Sequence, residues 1–288
     1  MMRSLAMQLI GTIELRPYVF VFLLIYLIGC SVHFGFKRAL LFGVTGYLIA
    51  WLTEFSSIHN GFPYGYYHYF ETTKGKEIWV LGVPLMDSIS YVFLAYASYS
   101  LSILIISPLC RSKRILYVLE TMPIRGSLYV RILGTILFVY LDIIIDPVAL
   151  QGNRWFLGQI YGYPDLGLYF GVPLSNYCGW FFTGFIMIYS FQKIDSFLYR
   201  KNVTDYFGYR YPWRFLIGPI LYFVVLIFNL SVTFLIGEKM LGWVGLFIVL
   251  LPIFLLYTIT KIKLTAEGAE FTLGAHLRDF PKAIIGGR

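Results

Sequence analysis

The stretch LYVRILGTILFVYLDIIIDPVA, Leu128 to Ala149, decides how the chain is read. It holds one basic residue near its start, Arg131, and two acids near its end, Asp142 and Asp146; the rest is apolar, aromatic or small. A helix of this length, at about 1.5 Å per residue, is roughly 33 Å long, the thickness of the hydrocarbon core of a bilayer. Working outward, six further runs have the same character: 17–36, 39–57, 79–106, 172–191, 215–236 and 241–260. The third is longer than a bilayer needs, so it is expected to tilt or emerge. Composition agrees. Only 13% of residues are charged and mean hydropathy is +0.72, whereas a soluble domain carries about 25% charged residues. The expected fold is all-α, a polytopic membrane helical bundle with about seven transmembrane helices. No linker divides it, so 1–288 reads as one domain, with 261–288 a polar cytoplasmic tail lying at the surface or partly disordered.

The net charge of +8 does not point to nucleic acid, because the basic residues sit between apolar runs and not in one patch. Of the 23 Lys and Arg, seventeen fall on one side of the expected topology, including Lys37, Arg114, Arg125, Arg200 and Lys263. Only six, among them Arg16, Lys74 and Arg154, fall on the other. The positive-inside rule places the basic side in the cytoplasm, which predicts a multi-pass protein of the cell (cytoplasmic) membrane with the N-terminus outside. LIGC ending at Cys30 resembles a lipoprotein cleavage box, but Glu14 precedes it and Lys37 and Arg38 follow. A first transmembrane helix is the better reading. Cys30, Cys110 and Cys178 are too dispersed for a disulfide framework or a zinc site. P-loop, GxGxxG and HExxH motifs are missing, so no metal and no cofactor is indicated.

Ionisable residues inside membrane spans are costly and point to function. Glu54 closes the second run, Asp87 lies in the third, Asp142 and Asp146 end the fourth, and Asn176 opens the fifth. The topology brings all of them to the outer half of the membrane. Asp142 and Asp146, four apart, share a helix face. Two such carboxyls in a low dielectric cannot both ionise cheaply, so one should keep its proton, giving an acid beside a base. The plainer alternative is that Asp146 caps the helix before Pro147 while Asp142 bonds a neighbouring helix.

The loop EFSSIHNGFPYGYYHYFE, Glu54 to Glu71, adds a Gly-Pro-Gly turn among tyrosines. Tyr66, Tyr67 and Tyr69 suit a membrane interface. Alternatively, ring faces such as those of Tyr64 and Tyr66 line a pocket or stabilise a cation. His59 and His68 read as loop residues. Arg154 and Trp155 either fold back over the site or anchor at the interface. Trp180 packs against Gly179 more naturally than it serves as a catalytic group. Tyr64, Tyr66, Trp155, Asn176 and Trp180 are thus the candidate substrate contacts. The sequence also repeats weakly: GFPYGYYHY precedes GVPLMD at Gly82, and GYPDLGLYF runs into GVPLSN at Gly171, each Pro falling in the first turn of its helix.

Four of these features, in order, resemble the integral-membrane carotenoid hydratase family (CruF type, also represented by bisanhydrobacterioruberin hydratase). They are the acid followed by GFPYGYYHY, LGVPL, DIIIDP at Asp142 to Pro147, and GVPLSNYCGW at Gly171 to Trp180. The family's turn commonly reads Pro-Phe-Gly where this chain has Pro63-Tyr64-Gly65, and the last two spans carry little of the likeness. The resemblance implies addition of water to the terminal double bond of an acyclic, lycopene-like carotenoid drawn from the membrane lipid, giving a tertiary alcohol without a redox cofactor. The residues fit that chemistry: one carboxylic acid protonates the alkene, and a second carboxylate takes a proton from the attacking water. Two other readings stay open. A polyene cyclase or isomerase would use the same acid and quench the cation by proton loss. A lipid-binding protein or proton-coupled transporter would use the carboxylates as proton carriers, although transporters often show inverted repeats.

Overall fold

The computed structural model describes residues 4–112, 115–203, 208, 211–265 and 269–281. Its framework is a bundle of long helices: α1 (Leu5–Leu15), α2 (Pro17–Phe34), α3 (Phe36–Asn60), α4 (Leu85–Ile106), the single turn α5 (Met122–Arg125), α6 (Leu128–Ala149), α7 (Leu174–Arg200), α8 (Ile217–Leu235), α9 (Lys239–Thr265) and α10 (Ala269–Asp279). Six of them (α2, α3, α4, α6, α8 with the turn before it, and α9) are long and apolar enough to cross a membrane. The outward faces are apolar too: Val21, Leu24 and Ile28 on α2, and Val44, Leu48 and Leu52 on α3, are exposed at helical spacing, as a lipid-facing surface requires.

The seventh expected span is α7. It packs against α3, α4 and α6, but Gln192, Lys193 and Asp195 dilute its apolar character and it runs on to Arg200. The third run begins at Leu85, not at 79. Residues before it form a small hairpin, β2 (Trp79–Val80) with β3 (Val83–Pro84), because Leu81 and Gly82 have φ of 49° and 87° and cannot continue a helix. Phe170 and Gly171 have nearly the same values, 48° and 86°. The two GVPL copies therefore share this left-handed pair, and each Pro sits at the N-cap of its helix, one step earlier than the sequence suggests. Two more short ladders join β1 (His68–Tyr69) to β6 (Tyr161–Gly162) and β4 (Leu109–Ser112) to β5 (Ile115–Val118).

Helix α4 is the axis, with 72% of its apolar window buried against 22% for α9. Buried Ser88, Ala95, Ala97, Ser98, Ser100 and Ser102 let α2, α3, α6 and α8 approach its backbone closely. One end of the bundle is locked by ions. Arg38 Nε donates to Asp195 at 2.6 Å, Arg125 Nε and Arg214 Nη2 each donate to Glu120 at 3.0 Å, and His33 Nε2 lies 3.0 Å from Glu120. Burial pushes the Glu120 carboxyl up, yet Arg125, His33 and Arg214 hold it well below the usual carboxylate range. The segment after α9 is not simply a polar extension: α10 docks here, with His276 Nδ1 2.6 Å from the Glu120 carbonyl and Phe280 buried. Residues 266–268 and 282–288 of the expected tail lie outside the described residues.

At the opposite end the Pro63–Tyr64 turn lies directly on Gly179 of α7. A Cβ there would sit 2.4 Å from the Tyr64 ring and 2.7 Å from its Cα. Gly179→Ala should therefore lever the turn off α7. The expected cost is about 1–3 kcal/mol, seen as a lower melting temperature of the detergent-extracted protein, whereas Gly75→Ala, with nothing within 4 Å, should lose only what its positive φ imposes.

Candidate functional site

Six helices and two loops converge at the end away from the ion lock and enclose a cavity of about 120 Å³. Glu54 comes from α3, Asp87 from α4, Asp142 and Asp146 from α6, and Asn176 from α7; all five line it. Tyr64, Trp155 and Trp180 line it as well. Tyr66 does not. It is 61% exposed, because its ring folds back over Gly61, which has no side chain to exclude it. The loop tyrosines that do face the cavity are Tyr64, Tyr67 and Tyr69 from one loop and Tyr161 and Tyr163 from the other, joined by Tyr18 of α2 and Tyr91 of α4. Tyr67 and Tyr69 thus line the cavity together with the acids. His59 and His68 lie outside it: His59 Nδ1 is 2.7 Å from the Phe55 carbonyl and His68 packs on Phe70.

The Asp142–Asp146 pair is built by its helix and its neighbours. Ser127 caps the start of α6, and the helix runs through Pro147, so Asp146 does not cap it. Both carboxylates face α7, where Asn176 Nδ2 donates to Asp142 Oδ2 at 2.7 Å and to Asp146 Oδ2 at 3.2 Å. Asp146 also accepts from Tyr163 at 2.8 Å and from Tyr161. Burial, then the nearby Asp146 charge, pushes both tyrosine hydroxyls well above their ordinary range, so they stay protonated and donate. Asp142 differs. Its Oδ1 is buried with no hydrogen-bond partner.

The other half of the cavity repeats this plan with changes. Glu54, 2% exposed, accepts from Ser88, and the Tyr69 hydroxyl is within reach of both Glu54 and Asp87. Asp87 and Asn176 each lie three residues after the Pro of a GVPL turn, and Tyr91 and Trp180 lie four further on. Those two rings stack across the centre at 4.6 Å and 21°. Tyr69 and Tyr161 face each other in the β1–β6 ladder. Phe138 also packs on Trp180 at 4.6 Å and lies 5.9 Å from Tyr91, while the space at Gly179 is taken by Tyr64. Tyr64 is fixed by its hydroxyl, 3.0 Å from Thr53 and 2.8 Å from Thr183.

Among the described residues none of the four carboxylates forms a salt bridge, and no group of three or more His, Cys, Asp or Glu is arranged to hold a metal. Arg154 does not fold over the site; it pairs with Glu238 and the Ile236 carbonyl, leaving only Trp155 at the cavity. A further limb of the cavity is apolar, lined by Val19 and Phe22 of α2, Phe93 and Leu94 of α4 and Val225 of α8. Tyr18 stacks on Phe228 at 4.9 Å along this limb. Sequence reasoning missed Tyr161, Tyr163 and Ser88. The Tyr-Gly-Tyr alternation at 161–163, matching Tyr67-His68-Tyr69, was the available signal, because alternate residues of an extended segment share a face.

Proton donors, acceptors and aromatic faces around an apolar limb suit acid–base work on a greasy molecule. A bisanhydrobacterioruberin hydratase from Haloarcula japonica is 28% identical over 171 residues, covering 59% of this chain and 50% of that protein. The chain thus spans about half the length of this curated relative. No solved structure matches. The model of a family described as carotenoid biosynthesis protein matches residues 13–252, most of the chain and every residue that lines the cavity; this protein belongs to that family.

Proposed function

We propose that this membrane protein adds water across the terminal double bond of an acyclic carotenoid. The observation that carries the reading is the unequal bonding of the two α6 carboxylates. Asp146 receives three donors, which favours its charged form. Asp142 has one donor and one unpartnered buried oxygen, the place where an acidic proton would sit. Asp142 then gives its proton to the less substituted carbon of the alkene, and the two π electrons form the new C–H bond. The tertiary cation left on the neighbouring carbon is faced by tyrosine rings, as any cation can be. Water attacks that carbon and passes a proton to Asp146. Transfer of this proton to Asp142, one helical turn away, restores the starting state. Hydration moves no electrons to an external carrier, so the steps need only the acids and water. Glu54 and Asp87 act as orienting groups.

The cavity, at about 120 Å³, matches the end of a polyene and not its whole length. The apolar limb between α2, α4 and α8 gives that end a path from lipid. The surplus of Lys and Arg on the ion-lock side supports the cytoplasmic membrane, with the acid end of the bundle outside. A cyclase or isomerase would use the same proton donor; the bound oxygen separates the cases.

In a lycopene-producing host the expected product is heavier than its substrate by one water, and its oxygen comes from labelled water. A product isomeric with its substrate would move the assignment to cyclisation or isomerisation. Asp142→Asn and Asp146→Asn keep shape but lose the transferable proton, so each should cut product by about 10²–10⁴-fold while the protein still extracts as a monodisperse species. Normal turnover in both variants would remove α6 from the chemistry. Reporters fused after Lys37 and after Arg200 should read as cytoplasmic and one near Lys74 as external, and a cytoplasmic signal at Lys74 would reverse the orientation.

A further inference from the structure

A hydratase in a membrane must bring two unlike molecules to one point. The apolar limb suits the polyene, and its one amide neighbour, Asn229, spends its N–H on the Val225 carbonyl at 2.9 Å. A second, smaller cavity of about 40 Å³ adjoins the first, between the α1–α2 junction, the start of α4 and the loop after α6. Six residues line both cavities: Tyr18, Val19, Asp87, Ser90, Leu157 and Ile160. What the smaller one adds is Arg16, with Pro84 and Met86.

Arg16 is 3% exposed and its guanidinium is committed to Glu77, with Nη2 to Oε1 at 2.9 Å and Nη1 to Oε2. That pairing leaves Nε buried with no hydrogen-bond partner. An unmet buried donor costs about 1–3 kcal/mol, and water is its usual remedy. A buried water needs roughly 10–15 Å³ and two to four polar partners. Here the room suffices for a few waters, and the partners are Arg16 Nε as donor and the Asp87 carboxylate as acceptor. Asp87 is also near enough to Asp146 for their charges to interact.

We propose that this annex is a water-binding site that supplies the co-substrate to the acid cavity, with Asp87 as a positioning residue at the passage between the two. The inference rests on the hydratase reading. It assigns Asp87 a task distinct from that of its repeat counterpart Asn176, which holds the two catalytic carboxylates. Water reaches the cation from the Arg16 side, while the polyene end arrives along α2 and α8.

The test separates proton transfer from water capture. In heavy water, reversible protonation by Asp142 places deuterium on the alkene carbon of recovered substrate, and hydration converts substrate to deuterated alcohol. Ser90→Leu fills the passage without touching Asp142, Asp146 or Asn176. It should lower alcohol formation by about tenfold or more, as loss of an ordered reactant water does, while deuterium exchange into substrate continues. Ser90→Ala keeps the room and removes only a hydroxyl that donates to the Met86 carbonyl at 2.9 Å, so it should lose far less alcohol than Ser90→Leu, which separates filling the passage from losing the hydroxyl. Equal loss of exchange and alcohol in Ser90→Leu, or unchanged alcohol, would overturn the annex as the water site and leave the hydratase reading standing. A wild-type protein that forms no alcohol and exchanges no deuterium would overturn both.

Discussion

A carboxylate sunk in an apolar bundle must be given hydrogen-bond donors, and the two ends of this protein meet that demand in opposite ways. At one end Glu120 and Asp195 are surrounded by Arg38, Arg125 and Arg214. Breaking such a buried pair is strongly destabilising because it strands a charge. These acids tie α2, α3 and α7 together and dock α10. At the other end Glu54, Asp142 and Asp146 have only neutral donors: Ser88, Asn176, Tyr161 and Tyr163. A neutral donor steadies a carboxylate without pinning it to one charge state. The same residue type is thus structural where arginine answers it and available for proton transfer where tyrosine and asparagine do.

The neutral donors reach the acids because the backbone is built twice. Each half offers a helix ending in an acid-bearing turn, a loop with an extended Tyr-x-Tyr segment, and a GVPL turn whose left-handed pair (Leu81–Gly82 or Phe170–Gly171) aims the next helix into the centre. The extended segments pair with each other as β1 and β6, so the two halves close one cavity instead of two. Tyr91 and Trp180, at matching positions, meet at the middle. Gly179 lets the Tyr64 turn press onto α7 at van der Waals distance, which sets how closely the loops cap the acids.

How much of this was legible in the sequence follows from range. Apolar run length fixed α6 to the residue and placed α2, α3, α8 and α9 within a few residues, since bilayer thickness alone sets it. The start of α4 was misplaced because a left-handed Leu81 is set by the turn and has no hydropathy signal. The last third of α7 was hidden by Gln192 and Asp195, whose polarity makes sense only once Arg131 is known to face the first and Arg38 and Arg125 the second. The acids were visible as polar residues inside apolar runs, and their gathering followed from topology. Tyr161 and Tyr163 were not visible as site residues, because a loop 15 residues beyond Asp146 has no local reason to return to it. Arg154 went the other way: adjacent to Trp155 in sequence, it turns from the site to reach Glu238, 84 residues away.

One difference between the repeats bears directly on the asymmetry of the site. At the position three residues after each GVPL proline stands Asp87 in the first copy and Asn176 in the second. Each half holds two carboxyl groups, Glu54 with Asp87 and Asp142 with Asp146, but they are distributed differently. An amide can donate to two acceptors at once, and Asn176 does so, which is what allows one helix face to carry a carboxyl pair four residues apart. An aspartate in that place could only accept, and three buried acids would then face one another with too few protons between them. In the first half the helix carries one acid, Glu54, served by a serine, and the post-proline position is free to be acidic. Asp87 therefore lines both the main cavity and the smaller one that Arg16 adjoins, while Asn176 lies against the pair. The exchange of Asp for Asn at this position thus leaves one side of the cavity with a carboxyl pair held by an amide and the other with an acid that borders the recess at Arg16.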